Sequence, residues 1–103
     1  MAYFFYRLNP PRSTFPGDMS PTEAKAMAEH VSYWTGHMRQ GAILAFGPVM
    51  APSGPFGMGL VNADSIDAAK TLVDADPVIL ANLGFSTDVF PMPRLTLPAD
   101  VAG

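Results

Sequence analysis

The segment from Ser20 to Gly41 constrains the fold more than any other part of this chain. Ser20 is suited to cap a helix, Pro21 to occupy its first position, and Glu23 to reach back to the cap from the third. From there to Arg39 the apolar residues are Ala24, Met27, Ala28, Val31, Trp34 and Met38. Their spacing of three, four and seven predicts one amphipathic helix of about five turns, stopped by Gly41. A helix with such a stripe has to bury it against another apolar layer.

The flanking sequence offers strands for that layer. Tyr3 to Leu8 is dense in aromatic residues and predicts a first strand, ended by Asn9-Pro10-Pro11-Arg12, since consecutive prolines cannot continue a ladder. After the helix, Ala42 to Phe46 is a short apolar strand closed by Gly47-Pro48. Met50 to Pro55 has loop composition. Phe56 to Val61 resumes as a strand, with Gly57 and Gly59 on one face and Phe56, Met58 and Leu60 on the other. Asp64-Ser65 caps a second helix carrying Ile66, Ala69, Leu72 and Val73, which must end before Pro77. Pro77 to Asn82 can add a further turn, stopped by Gly84, and Phe85 to Phe90 is a last strand. The order β-α-β-β-α-β predicts an α+β, ferredoxin-like fold: a four-stranded antiparallel sheet with two helices on one face.

At 103 residues the chain has room for one domain, expected over 1–103 with about 94–103 as a Pro-containing tail. A chain this short has a thin core, so association with a second copy is a plausible remedy. With 49% hydrophobic and 15% charged residues and a mean hydropathy of +0.18, it is too apolar for disorder. Both faces of the first strand carry aromatic residues, Tyr3 and Phe5 on one and Phe4 and Tyr6 on the other. The uncovered sheet face is therefore expected to pair with itself in a homodimer or higher homo-oligomer, through Phe85 to Phe90 and Phe4 or Tyr6.

Several function classes drop out. The net charge is −3 and the six Lys and Arg are scattered, so the basic footprint of a nucleic-acid binder is missing. No run approaches ~18 apolar residues, so no membrane span is expected. With no cysteine, disulfides, thiolate catalysis and cysteine-based metal sites are excluded. The N-terminus lacks the pattern of a signal peptide, and the expected location is the cytoplasm.

The candidates for chemistry are few. His30 and His37 lie seven apart with Tyr33 beside them. Two turns separate them, about 10 Å along the axis, whereas chelating pairs on helices sit three or four apart, so no metal is expected. His30 falls about 90° from the centre of the apolar stripe, at roughly 100° per residue, which predicts a boundary residue. Asp76, in Asp74-Ala75-Asp76-Pro77, lies where a helix dipole disfavours negative charge; it must gain a partner or stay exposed. Gly54 to Gly59 lacks a phosphate-loop pattern and leads into a strand, and no cofactor is expected.

Together these residues carry a resemblance. His30, then Phe46-Gly47-Pro48, then Asp74-Ala75-Asp76-Pro77, in that order on these elements, are similar to the YciI-like (YCII-related) family over nearly the whole chain. The run Asp18-Met19, Glu23, Met27, His30, Tyr33-Trp34 resembles one branch of it. The resemblance implies a dimeric α+β barrel related to muconolactone-isomerase-like enzymes. It implies a catalytic histidine and aspartate at His30 and Asp76, with Tyr33, Trp34, Phe46, Gly47 and Pro48 as the expected substrate-binding residues. A characterised member of the family is a dehydrochlorinase of a chlorinated hydroxyquinol.

An imidazole, with its ordinary pKa near 6.5, can take or give a proton at neutral pH. A carboxylate on its other nitrogen fixes the tautomer and stabilises the imidazolium. Two expectations follow for a small-molecule ligand, aromatic or lactone-like. One is a lyase or isomerase that needs only proton transfer; the other is a binding or accessory domain in which no proton moves.

Overall fold

The centre of the molecule is β1 (Ala2–Asn9), antiparallel to β3 (Gly54–Ala63) on one side and to β4 (Ser86–Met92) on the other. With β2 (Ile43–Ala51) outside β3, the sheet order is β2-β3-β1-β4. The helices are α1 (Pro21–Arg39), α2 (Ile66–Asp74) and the short α3 (Pro77–Leu80), and a 3₁₀ turn follows at Pro98–Val101. This computed structural model describes residues 2–101. The element order and the four-stranded antiparallel sheet are those expected.

Alternation along β1 sets the two layers. Phe4, Tyr6 and Leu8 are buried with Val61, Ile43, Val73 and Trp34, while Tyr3 and Phe5 point to the opposite face. Phe4 and Tyr6, expected as interface candidates, therefore lie in the core on the helix side. On the other face Phe90, opposite Phe5, is 50% exposed. Gly59 sits opposite Tyr6, and a Cβ there would come within 2.9 Å of the Tyr6 ring and 3.0 Å of Ile43. The bare backbone lets the large ring pack down onto the sheet.

Two strands run through prolines beyond their expected ends. The hairpin between β2 and β3 closes at Pro52-Ser53, so most of the stretch expected as a loop is ladder, and Pro48 pairs opposite Gly57 instead of closing the strand. β2 is an edge, where a proline's missing N–H faces outward and costs no ladder bond. β4, the other edge, continues through Pro91 in the same way.

Helix α1 begins with the expected capping box: Ser20 Oγ accepts from Glu23 N–H at 3.1 Å, and Glu23 Oε1 accepts from Ser20 N–H at 2.8 Å. It ends at Gly41, whose φ of +79° suits a residue without a side chain. The Gly41 and Ala42 N–H groups donate back to Met38 and His37 carbonyls, satisfying the last turn. The buried face differs from the apolar stripe. Glu23, Ala26, His30 and Trp34 are buried, while Ala24, Val31 and Met38 are exposed. At roughly 100° per residue the helix is turned about 90° from the orientation its apolar residues alone favour. Polar side chains can be buried where they are paired, and both polar residues on this face are: Glu23 with Arg12 and His30 with Asp76.

Candidate functional site

Asp76 is the hub. It follows α2 but caps α3: its Oδ1 accepts the Val78 N–H at 2.9 Å, so the carboxylate meets the favourable end of a helix. Its Oδ2 accepts from Trp34 Nε1 at 2.7 Å and meets His30 Nδ1 at 2.5 Å. Asp76 has no solvent exposure and His30 only 7%, so His30 is a buried residue rather than the boundary residue expected. The difference is the rotation of α1, which turns His30 toward the corner between α2 and α3.

These contacts fix the imidazole. A buried carboxylate already holding two N–H donors accepts a third from Nδ1, so Nδ1 carries the proton. Nε2 has no protein partner among the described residues. Aromatic rings pack around the pair. Trp34 lies 5.4 Å from Tyr6 and 5.1 Å from Tyr33 between ring centres, and the Tyr33 hydroxyl donates to the Leu72 carbonyl at 2.5 Å, tying α1 to α2. Burial first, and then the charge of Asp76, pushes both the Tyr6 and Tyr33 phenols up, so both stay protonated.

His30 also lines a cavity of about 320 Å³. One wall comes from the segment after β1 (Pro10, Phe15, Pro16, Met19), another from the β2–β3 hairpin, including Phe46, Gly47, Pro48 and Phe56. Phe46 stands edge-on to His30, 6.3 Å between centres. His30 is the only titratable residue among those lining the cavity.

A family model, the YCII-related domain, matches residues 1–93. The chain belongs to the YCII-related family. No curated protein matches it. Among solved structures it is similar to the 5-chloro-2-hydroxyhydroquinone dehydrochlorinase of Burkholderia phenoliruptrix AC1100, solved in complex with 2,5-dihydroxybenzoquinone. The identity is 22%, the alignment covers 93% of this chain and 94% of that one, and the TM-score is 0.61, which shows a shared fold.

In this YCII-related protein the residues expected at the site fall into two groups. Phe46, Gly47 and Pro48 line the cavity with His30. Tyr33 and Trp34, expected to bind substrate, are not among its lining residues; Trp34 is completely buried behind His30 and holds Asp76. An apolar stripe does not tell which side of a histidine an aromatic neighbour will take. His37 packs on Tyr33 at 4.5 Å between rings and lies 6.0 Å from Trp34. Among the described residues, no group of three or more His, Cys, Asp or Glu is placed to hold a metal ion.

Sequence reasoning did not place Phe15, Phe56, Phe85 or Met27 at the site, and they also line the cavity. Nor did it find Arg12. That side chain donates to both carboxylate oxygens of Asp18 from Nε at 2.9 Å, and to both of Glu23 from Nη1 and Nη2 at 2.7 Å. Arg12 first, and then the Ser20 N–H, holds the Glu23 carboxyl down at about 2. A lone arginine between prolines and a turn carries no periodic signal that would have marked it.

Proposed function

We propose that the cavity takes a small, mostly apolar ring compound and that His30 moves a proton on it, in a lyase- or isomerase-type reaction. One observation carries this reading: the sole titratable group facing an otherwise apolar cavity is an imidazole whose other nitrogen is held by a buried carboxylate. Nε2 takes a proton from an O–H or C–H of the ligand, and the electron pair left behind forms a new double bond. In an elimination that pair expels an anion from the neighbouring carbon; in an isomerisation the imidazolium returns the proton to a different carbon. Asp76 stabilises the imidazolium, and the Trp34 and Val78 N–H groups keep the carboxylate facing it.

The walls support a planar ligand. Phe15, Phe46, Phe56 and Phe85 are among its lining residues, and aromatic walls suit a flat partner. The similar structure from Burkholderia phenoliruptrix AC1100 is a dehydrochlorinase holding a dihydroxybenzoquinone, which supports the same ligand class here. A cavity this apolar would also suit simple binding with no reaction, so one variant has to separate the two readings. Screening hydroxylated and chlorinated aromatics and small lactones for binding and turnover supplies the substrate. With it, His30→Gln should lower the rate by on the order of 10²–10⁴ and weaken binding far less. A variant with full stability and full activity would sink the catalytic role. His37→Gln is the control and should change neither measure.

We further propose that the open sheet face, carrying Tyr3, Phe5, Met58, Leu60 and Phe90, pairs with a second copy of the chain. A sheet face with these apolar residues beside Arg7, Asn62 and Asp88 is a candidate interaction surface. Light scattering should report a dimer; a clean monomer at micromolar concentration would count against it.

A further inference from the structure

We infer that Arg12 is a positioning residue for ligand binding: it clamps one wall of the cavity to the helix that carries His30. The inference rests on the cavity being the ligand site and adds a residue that lies outside its lining.

The segment from Pro10 to Met19 belongs to no helix or strand, yet Pro10, Phe15, Pro16 and Met19 form a wall of the cavity. Its own bonds are local turns: Phe15 N–H to Arg12 O at 3.2 Å, Gly17 N–H to Thr14 O at 2.9 Å, and Met19 N–H to Pro16 O at 3.1 Å. Such a segment has little to hold its shape except what ties it to the body. Phe15 edge-on to Phe85, at 5.2 Å between rings, is one tie. Arg12 is the other. Its guanidinium grips Asp18 by both carboxylate oxygens and by the main-chain carbonyl at 2.9 Å, and Thr14 Oγ1 reinforces Asp18 at 2.6 Å.

The same guanidinium grips Glu23, at the start of α1. Glu23 and His30 are seven residues apart on the buried face of α1, two turns or about 10 Å along the axis. The fork therefore links the two ends of the segment to the element that presents the imidazole. Five donors in a rigid plane suit this task, and no other side chain supplies them. Misplacing one wall by about an ångström is enough to lose much of the fit between ligand and reacting group.

The test compares Arg12→Met with Asp18→Ala, which removes the side-chain half of the grip on the segment but leaves the Arg12–Glu23 pair and the helix cap in place. Amide hydrogen exchange is read on the unliganded proteins, and 1-naphthol, a neutral two-ring phenol, is the probe for affinity. In both variants exchange at Gly17 and Met19 should rise by roughly tenfold or more while the His30 amide, inside α1, stays as protected as in the wild type. The affinity for 1-naphthol should fall by roughly tenfold. Unchanged exchange would overturn the clamp, and faster exchange with unchanged affinity would overturn its role in binding. A wild-type protein that does not bind 1-naphthol would instead overturn the cavity reading itself, a result separate from variants that bind as tightly as the wild type.

Discussion

Helix α1 carries two polar assemblies on one face, two turns apart, built on opposite terms. At its N-terminus, Arg12, Asp18 and Glu23 join three full charges, and the Arg12 and Asp18 side chains are 37% and 49% exposed while Glu23 is buried. Farther along, Asp76 is wholly buried and is held by Trp34, His30 and the Val78 N–H. Near water, a charge that loses its partner is resolvated, so each contact between Arg12 and Asp18 is worth little by itself. In the interior a group that loses its partner has nothing to replace it. The first assembly is thus suited to holding a segment in place, and the second to holding one ring in one orientation.

The largest effect expected from this contrast is at Asp76. Asp76→Ala leaves three buried donors without an acceptor and should cost about 3–5 kcal/mol, read from chemical denaturation followed by circular dichroism. If it costs no more than Asp18→Ala, the contrast between the assemblies fails. Trp34→Phe removes a single donor and keeps an aromatic ring, so about 2 kcal/mol is expected. Its further value is diagnostic: with a substrate in hand, a loss of rate at unchanged binding would mark Trp34 as acting through Asp76.

The smallest effect is a dependence on acid at the N-terminal assembly. The Glu23 carboxyl is lowered from 4.5 to about 2, chiefly by the Arg12 bond. The unfolded chain therefore takes up a proton at higher pH than the folded one. The stability Glu23 contributes is fully present above about pH 4.5 and is lost as pH falls through about 2. Asp18 is lowered in the same direction, again chiefly by Arg12. Exchange at Gly17 and Met19, corrected for the intrinsic pH dependence, should accelerate across that window. Glu23→Gln should flatten the response, and an identical profile in that variant would detach the acid effect from this carboxyl.

Much of the fold was legible in local chemistry. The Ser20, Pro21 and Glu23 start of α1, the Gly41 stop, the Ser65 cap of α2 and the alternation of Phe56 to Leu60 all depend on neighbours within a few residues. Where a strand ends is less local. Pro48 and Pro91 look like terminators until the sheet order makes their strands edges, and only then does the missing N–H cost nothing. The site was partly legible. His30 and Asp76 stood out through the family resemblance, while electrostatics alone left Asp76 either to gain a partner or to stay exposed. The sides taken by Tyr33 and Trp34 did not stand out, because an aromatic residue packs as well behind a histidine as in front of it.

By itself, then, the sequence determined the elements and their order, since caps and breakers act over a few positions. The tertiary structure alone decided how α1 turns. A stripe of Ala, Met and Val is a weak claim on the core, and paired polar groups outbid it: Arg12 brought Glu23 inside and Asp76 brought His30 inside, 46 positions away in sequence. That rotation also left Val31 48% exposed at the rim of the cavity. Burial of a polar side chain depends on a partner that only the folded chain delivers, and no periodicity of apolar residues encodes it.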